Sequence, residues 1–323
     1  MRFLFLDIFY VSLCYNILIT KIMKHLFTHL CITFALLSAL SFNCLGADKY
    51  TLEYNLEPGK TYKQNAVTTV TIKMNAMGQD MKMDIKTEMN ILYDVKAETD
   101  SGYTIQLSYQ KIKMDMTGPA SMTIDSDSPE SSTNQDAGEI FKSIVRTQLE
   151  INLTKQGKVT SIQGADQLLE KFNSLSNEQL RQMLSQQFSA NAIRESIEKM
   201  SPFFPDKPVA VGDNWDVNST INSGGFDIIS KMNLTLKEVK DNIATIDYIG
   251  IIATPEGGSL IKVNGMDAKI VSMQGDQKGT ILLDMKTGWI NNMESIVNNK
   301  QNIEIMGQSI AQEMETKVTV IGE

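Results

Sequence analysis

A chain of 323 residues with 38 Asp and Glu against 30 Lys and Arg carries a net charge of −8. That balance opposes nucleic acid and anionic membrane surfaces. All three cysteines (Cys14, Cys31, Cys44) and both histidines (His25, His29) precede residue 47, so the remainder can assemble neither Ser-His-Asp nor Cys-His machinery, nor a zinc site built on those side chains.

Met23-Lys24-His25, the apolar run Leu30 to Leu40, and Ser41 to Gly46 read together as a secretory signal peptide. Residues 1–46 are therefore set apart as a leader, with 1–22 read as a start assigned too far upstream of Met23. A transmembrane anchor at 3–20 competes with this reading, but a signal-like run follows it directly. Cleavage is expected after Gly46 or Ala47, which leaves the body more acidic still because Arg2, Lys21 and Lys24 depart with only Asp7. In a second reading Cys44 stays as a lipidated first residue. Ser41-Phe42-Asn43 lacks the small residues that usually precede such a cysteine, and this anchor is the one membrane attachment foreseen. The expected location is the periplasm or cell envelope, on the outer membrane if Cys44 is lipidated. An exported body without disulfides must be large enough to need no staples.

Tyr50 to Leu56 alternates apolar and polar residues and stops at the turn Glu57-Pro58-Gly59-Lys60. Val67 to Met77 alternates again, and Met77-Gly78-Gln79-Asp80 turns the chain into Met81–Val95. There Met81, Met83, Ile85, Thr87, Met89, Ile91, Tyr93 and Val95 occupy one phase, while Lys82, Asp84, Lys86, Glu88, Asn90 and Asp94 occupy the other. This is a long strand with one dry and one wet face, about 50 Å at roughly 3.3 Å per residue. Tyr103 to Met116 returns with a phase slip between Tyr109 and Ile112, which predicts a β-bulge near Gln110–Lys111.

Asp125 to Gly138 has no large apolar residue and reads as a flexible loop, and Glu139 to Gln148 as a short helix. Leu149 to Ile162 is a hairpin turning at Gln156-Gly157. Asp166 to Met200 is the one clearly helical region, with Ser176 and Gln179 resembling a capping box inside it. Prolines 202, 205 and 208 end it. Strands are then expected at Val209–Trp215, Ile228–Val239, Ile243–Ile252, Ala268–Met273, Gly279–Met285, Trp289–Asn302 and Ile310–Ile321.

The second half echoes the first. Pro58 to Tyr62 corresponds to Val211 to Trp215, Lys155 to Val159 corresponds to Lys286 to Ile290, and Met-Gly-Gln occurs at 77–79 and 306–308. The expectation is a mainly β (α+β) fold in which residues 47–323 form one β-rich domain of two related meanders, about 47–165 and 205–323. The meanders make an antiparallel curved sheet or split half-barrel, and helices at 166–200 join them and cover the apolar face.

Pro205-Asp206-Lys207-Pro208-Val209 with Val211-Gly212-Asp213-Asn214-Trp215, the Leu56–Tyr62 opening, and the Lys-x-Gly hairpin in Leu153–Ile162 resemble a secreted, Bacteroidota-type bacterial family known only as a domain of unknown function, DUF6263. The resemblance covers most of 50–323. It implies an envelope or lipoprotein location and carries no catalytic residues.

No P-loop or dinucleotide fingerprint is present, since Gly257-Gly258 has no helix after it. Asp125 to Glu130 offers oxygens for calcium but lacks the glycine and spacing of an EF-hand, and reads as a solvated loop. Methionine is the odd feature of composition. Thioethers select copper(I), yet Met81, Met83, Met114 and Met116 sit on the dry phase of strands, where methionine is an adaptable filler. The expectation is a non-catalytic protein without metal or cofactor, an envelope structural or interaction module. The alternative is a binding protein for a lipid or other apolar ligand, held between sheet and helices by Met81, Met83, Met89, Tyr93, Met114 and Met116.

Overall fold

Alternation over Met81–Val95 becomes a strand of 21 residues, Gln79–Thr99, in the computed structural model of the chain. The model describes residues 48–76, 79–119, 121–173, 181, 184–185, 188–199, 203–223, 226–255, 258–263, 266–305 and 307–323. The leader, the Cys44 anchor, the Ser176–Gln179 cap and the two Met-Gly turns fall outside these residues or are broken by their gaps.

The strands in chain order are β1 (Lys49–Tyr50), β2 (Thr61–Ala76), β3 (Gln79–Thr99), β4 (Gly102–Thr117), β5 (Met122–Asp125), β6 (Gln148–Thr154), β7 (Val159–Gln163), β8 (Val209–Ala210), β9 (Asn214–Ser223), β10 (Phe226–Lys240), β11 (Ile243–Ala253), β12 (Ser259–Val263), β13 (Met266–Asp284), β14 (Ile290–Ile305) and β15 (Gln308–Gly322). Thirteen of them form one sheet in the order β7-β6-β4-β3-β2-β15-β14-β13-β11-β10-β9, with β5 added beside β4 and β12 beside β13. β1 and β8 pair separately. Each meander step is antiparallel, and β2 pairs with β15 from Gln64–Gly322 to Asn75–Ala311, so the two halves join through the first and last long strands. The order ends at β7 on one side and β9 on the other, leaving the sheet open.

The bulge lies where the phase slip predicts it. Asn90 faces Lys111 and Ile91 faces Tyr109, so Gln110 has no partner on β3. That extra residue keeps Ile105, Leu107, Tyr109 and Ile112 on the inner side, where all four are buried. On the outer side Lys82 pairs with Asp84 and Lys86 with Glu88. Burial varies along β3: Ile91, Tyr93 and Val95 are buried, whereas Met81, Met83, Ile85, Thr87 and Met89 are half-buried.

The buried end is closed by helices α1 (Gln135–Val145), α2 (Ala165–Phe172) and α3 (Ala190–Lys199). Ile140, Phe141 and Ile144 bury the inner side of α1, which packs on β4 and β5. Leu168 and Phe172 of α2 are 0 % exposed, each contributing about 1.5–3 kcal/mol by burial. Phe188 meets Phe172 at 5.9 Å in a tilted contact and Tyr109 of β4 edge-on at 6.2 Å. Glu198 of α3 accepts from the Val159 amide of edge strand β7. At the base, Trp289 meets the rings of Tyr62, Tyr93 and Tyr54 at 4.9, 5.2 and 6.2 Å.

Several expectations are corrected. Asp125–Gly138 is an ordered turn: Ser126 exchanges hydrogen bonds with the Ile112 backbone, Ser132 Oγ accepts from the Asp125 amide, and Asn134 caps α1 by accepting from the Ala137 amide. Short polar side chains there replace apolar burial with backbone hydrogen bonds, and the helix begins at Gln135 instead of Glu139. The strands expected at Ala268–Met273 and Gly279–Met285 merge into one, β13, which runs through Gly275 without a turn and ends at Asp284. Tyr50–Leu56 keeps its alternation, with Leu52, Tyr54 and Leu56 buried, but only Lys49–Tyr50 is paired as a strand. Beyond that, Tyr54 donates to the Lys155 carbonyl and Asn55 to the Thr287 carbonyl, so this segment laces two separate turns together.

Candidate functional site

On the inner face, past the helix-covered end, lies a cavity of about 470 Å³, within the usual size of small-molecule sites at about 300–1,000 Å³. Its wall is drawn from eight neighbouring strands, β9, β10, β11, β13, β14, β15, β2 and β3, with Ser196 of α3 and Phe203 opposite. Eight flat strands at about 4.8 Å spacing would extend about 34 Å. The sheet must therefore curl tightly for all of them to reach one cavity. Strand glycines allow this curl, since a Cβ on Gly279 would stand 2.6 Å from the Tyr248 ring and one on Gly250 3.0 Å from Met232. Neighbouring side chains fold over both positions.

The wall mixes apolar and uncharged polar groups. Met89, Met232, Ile252, Met293 and Val297 supply apolar surface, and no Asp, Glu, Lys or Arg appears among the described lining residues. Some polar groups are paired internally: Gln277 Nε2 donates to Ser230 Oγ at 2.7 Å and to the Ile251 carbonyl. Others are not. Asn299, 6 % exposed, has a buried Oδ1 without a partner, and so does Gln301 Oε1 two residues further along β14. A buried acceptor left unmet costs about 1–3 kcal/mol, so Asn299 in the wall and Gln301 just beyond it are polar at a cost to the fold. Burial pushes the Tyr248 phenol up, with Ser295 opposing, so its hydroxyl stays neutral at ordinary pH.

Of the six residues singled out from sequence, one lines this cavity. Met89 faces Ala66 on one side and Ile112 on the other, and reaches the cavity wall. Met114 packs half-buried against the main core. Tyr93 lies in that core, 4 % exposed, its hydroxyl donating to Gln64 Oε1 at 2.9 Å, and burial pushes its phenol well above the usual range. Met81, opposite Met74, Met83, opposite Ile72, and Met116, opposite Ile85, are half-buried toward the far strand ends and do not line the cavity. Most of the wall comes from the second half and escaped the methionine pattern. The signal for it was polar residues in the apolar phase: Met293, Ser295, Val297, Asn299 and Gln301 share one face of β14.

An open, curled antiparallel sheet with a helical cover and an inner cavity whose described lining carries no charge defines a mainly β protein. The chain belongs to the family of unknown function DUF6263, whose model matches residues 100–290, more than half of the 323. That range contains the Leu153–Ile162 and Pro205–Trp215 motifs, while Leu56–Tyr62 precedes it. No curated protein matches the chain in sequence. Among solved structures it is similar to DynF from the dynemicin biosynthesis pathway of Micromonospora chersina, at 6% identity and TM-score 0.20 over 86% of each chain. It is also similar to the translocator domain of autotransporter NalP from Neisseria meningitidis, at 6% identity and TM-score 0.21 over 92% of this chain and 97% of that one. A third is the COG4313 outer membrane channel from Pseudomonas putida F1, at 9% identity and TM-score 0.22 over 84% and 98%. Scores this low carry no functional weight.

Proposed function

We propose that the chain is a non-catalytic binding protein that holds an apolar or amphipathic small molecule between the curled sheet and α3. The observation that supports this is the 470 Å³ cavity, with its apolar wall interrupted by uncharged polar groups. A dry core at native density would leave no such space. Export to the cell envelope is part of the proposal and rests on the signal-like Met23–Gly46 stretch. Native mass spectrometry of protein purified from its own host is expected to show a co-purifying ligand, and a fluorescent acyl probe is expected to bind with one-to-one stoichiometry. A bare protein mass together with no probe binding would refute the reading.

A second reading, an envelope interaction module, is favoured by a different feature. Ile249 and Ile251 on β11 face outward at 67% and 57% exposure, which is unusual for neighbouring isoleucines on a solvated face. Under this reading an Ile249→Lys, Ile251→Lys protein loses a partner that the unaltered chain cross-links to in cells, with probe binding intact. An unchanged cross-linking pattern would remove that reading.

A further inference from the structure

We propose that the ligand's head group is uncharged and donates hydrogen bonds, and that Asn299 receives it; this rests on the binding reading above. Three observations converge. The described lining offers no charged side chain, so a carboxylate or phosphate entering the cavity would lose water without gaining a counter-ion. On β14 the unmet polar capacity is acceptor capacity. Asn299 is 6 % exposed, lines the cavity and has no partner for Oδ1. Gln301, 9 % exposed and just outside the cavity lining, donates from Nε2 to Gln312 Oε1 at 2.6 Å, which leaves its own Oε1 open. Buried side-chain acceptors are as a rule paired. Lying two residues apart on one strand, these two project to the same side about 6.7 Å from each other.

The third observation is that the other side-chain amide of the described lining is already committed: Gln277 Nε2 donates to Ser230 Oγ at 2.7 Å and to the Ile251 carbonyl. Asn299 Oδ1 has no donor, and ligand hydroxyls or amide N–H groups supply one without bringing charge. The apolar remainder, Met232, Ile252, Met293 and Val297, suits the hydrocarbon part of the same molecule. The class is thus a neutral amphiphile such as a monoacylglycerol or a fatty amide, and not a fatty-acid anion or a phospholipid.

Three probes with one acyl chain separate the possibilities: monolaurin (neutral, with hydroxyl donors), methyl laurate (neutral, without donors) and laurate (anionic at pH 8). Each is competed against a fluorescent acyl probe on the full chain. Monolaurin is expected to bind about tenfold more tightly than methyl laurate, with laurate weaker than monolaurin. Asn299→Leu is expected to bring monolaurin to within about twofold of methyl laurate while leaving methyl laurate unchanged, with thermal unfolding as the check on folding. If that variant does not fold, Asn299→Ala takes its place, and the ranking on the unaltered chain stands as a test by itself. Laurate binding as tightly as monolaurin, or monolaurin no better than methyl laurate, would overturn this inference and leave the binding reading standing. Failure of all three to bind would overturn both.

Discussion

The two halves of the sheet use the same backbone devices and put them under different covers. In the first, the Thr154 amide donates to the Lys158 carbonyl and the Gly157 amide returns to Thr154. In the second, Asp284 donates to Trp289 and Gly288 returns to Asp284. A register shift sits beside each turn, at Asn152/Leu153 and at Leu282/Leu283. Near the same strand ends Gly59 donates to Val95 and Gly212 to Leu236, and the ladder shifts immediately after Val95 and after Leu236. Side chains then diverge. Inner positions of β4 carry Ile105, Leu107 and Tyr109, buried under the helical cover. Inner positions of β11 and β13 include Gly250, Gly275 and Gly279, and their neighbours line the cavity. Turn and bulge chemistry builds the scaffold, while side-chain volume and cover decide whether a given patch of it is core or pocket.

Substitutions on the two inner faces test that contrast. Phe172→Ala removes a ring with no exposure from the cover of the first half and should cost about 3–5 kcal/mol in urea unfolding. Val297→Ala trims a half-buried residue that already borders empty space and should cost less than about 1 kcal/mol. Equal losses would mean the second inner face is as tightly packed as the first. Gly279→Ala comes next, because its Cβ would lie 2.3 Å from the Glu294 carbonyl and 2.6 Å from Tyr248. A cost of about 1–3 kcal/mol is expected, together with weaker probe binding as Tyr248 is pushed toward the cavity.

The alkaline limb of stability probes the buried phenols, of which Tyr93 and Tyr109 lie in the first half. Burial pushes the Tyr109 phenol up to about 12 and Tyr93 well above its ordinary value. A phenol whose pKa is higher folded than unfolded stabilises the fold fully below about pH 10, and that contribution shrinks as pH climbs from about 10 toward 12. Each such tyrosine should steepen the loss by about 1.4 kcal/mol per pH unit in that window. Tyr109→Phe should flatten the slope measured by urea unfolding between pH 9 and 12, with little change at pH 7. An unchanged slope would show that the phenol is not held neutral under Phe188.

Period-2 alternation made most of the long strands legible, and the phase slip at Tyr109–Ile112 located the bulge to the residue. The helical region was legible from the spacing of Leu168 with Phe172 and of Ile193 with Ile197, all buried. The loop at 125–138 was misread because its order comes from Ser126, Ser132 and Asn134 bonding to backbone, a local chemistry that hydropathy does not register. β13 was split because Gly275 reads as punctuation in a sequence, yet within a curled sheet a glycine makes room for its neighbours. The cavity was legible only as a dry face. Which stretch of that face stays uncovered depends on where α2, α3 and Phe203 come to rest, a long-range outcome that alternation along single strands does not carry.

The methionines give the finest test of where core ends and pocket begins. Met89 reaches the cavity, whereas Met81, Met83 and Met116 sit farther along the strands and do not line it. Leucine in place of each of the three distal methionines should cost less than about 1.5 kcal/mol, because the volume is kept, and acyl-probe affinity should stay within about twofold. Met89→Ala removes apolar wall from the cavity and should weaken the probe several-fold, about 1 kcal/mol of lost contact area. If Met83→Leu weakened the probe as much as Met89→Ala, the binding groove would continue along β3 beyond Thr87, and the half-buried strand ends would belong to the site.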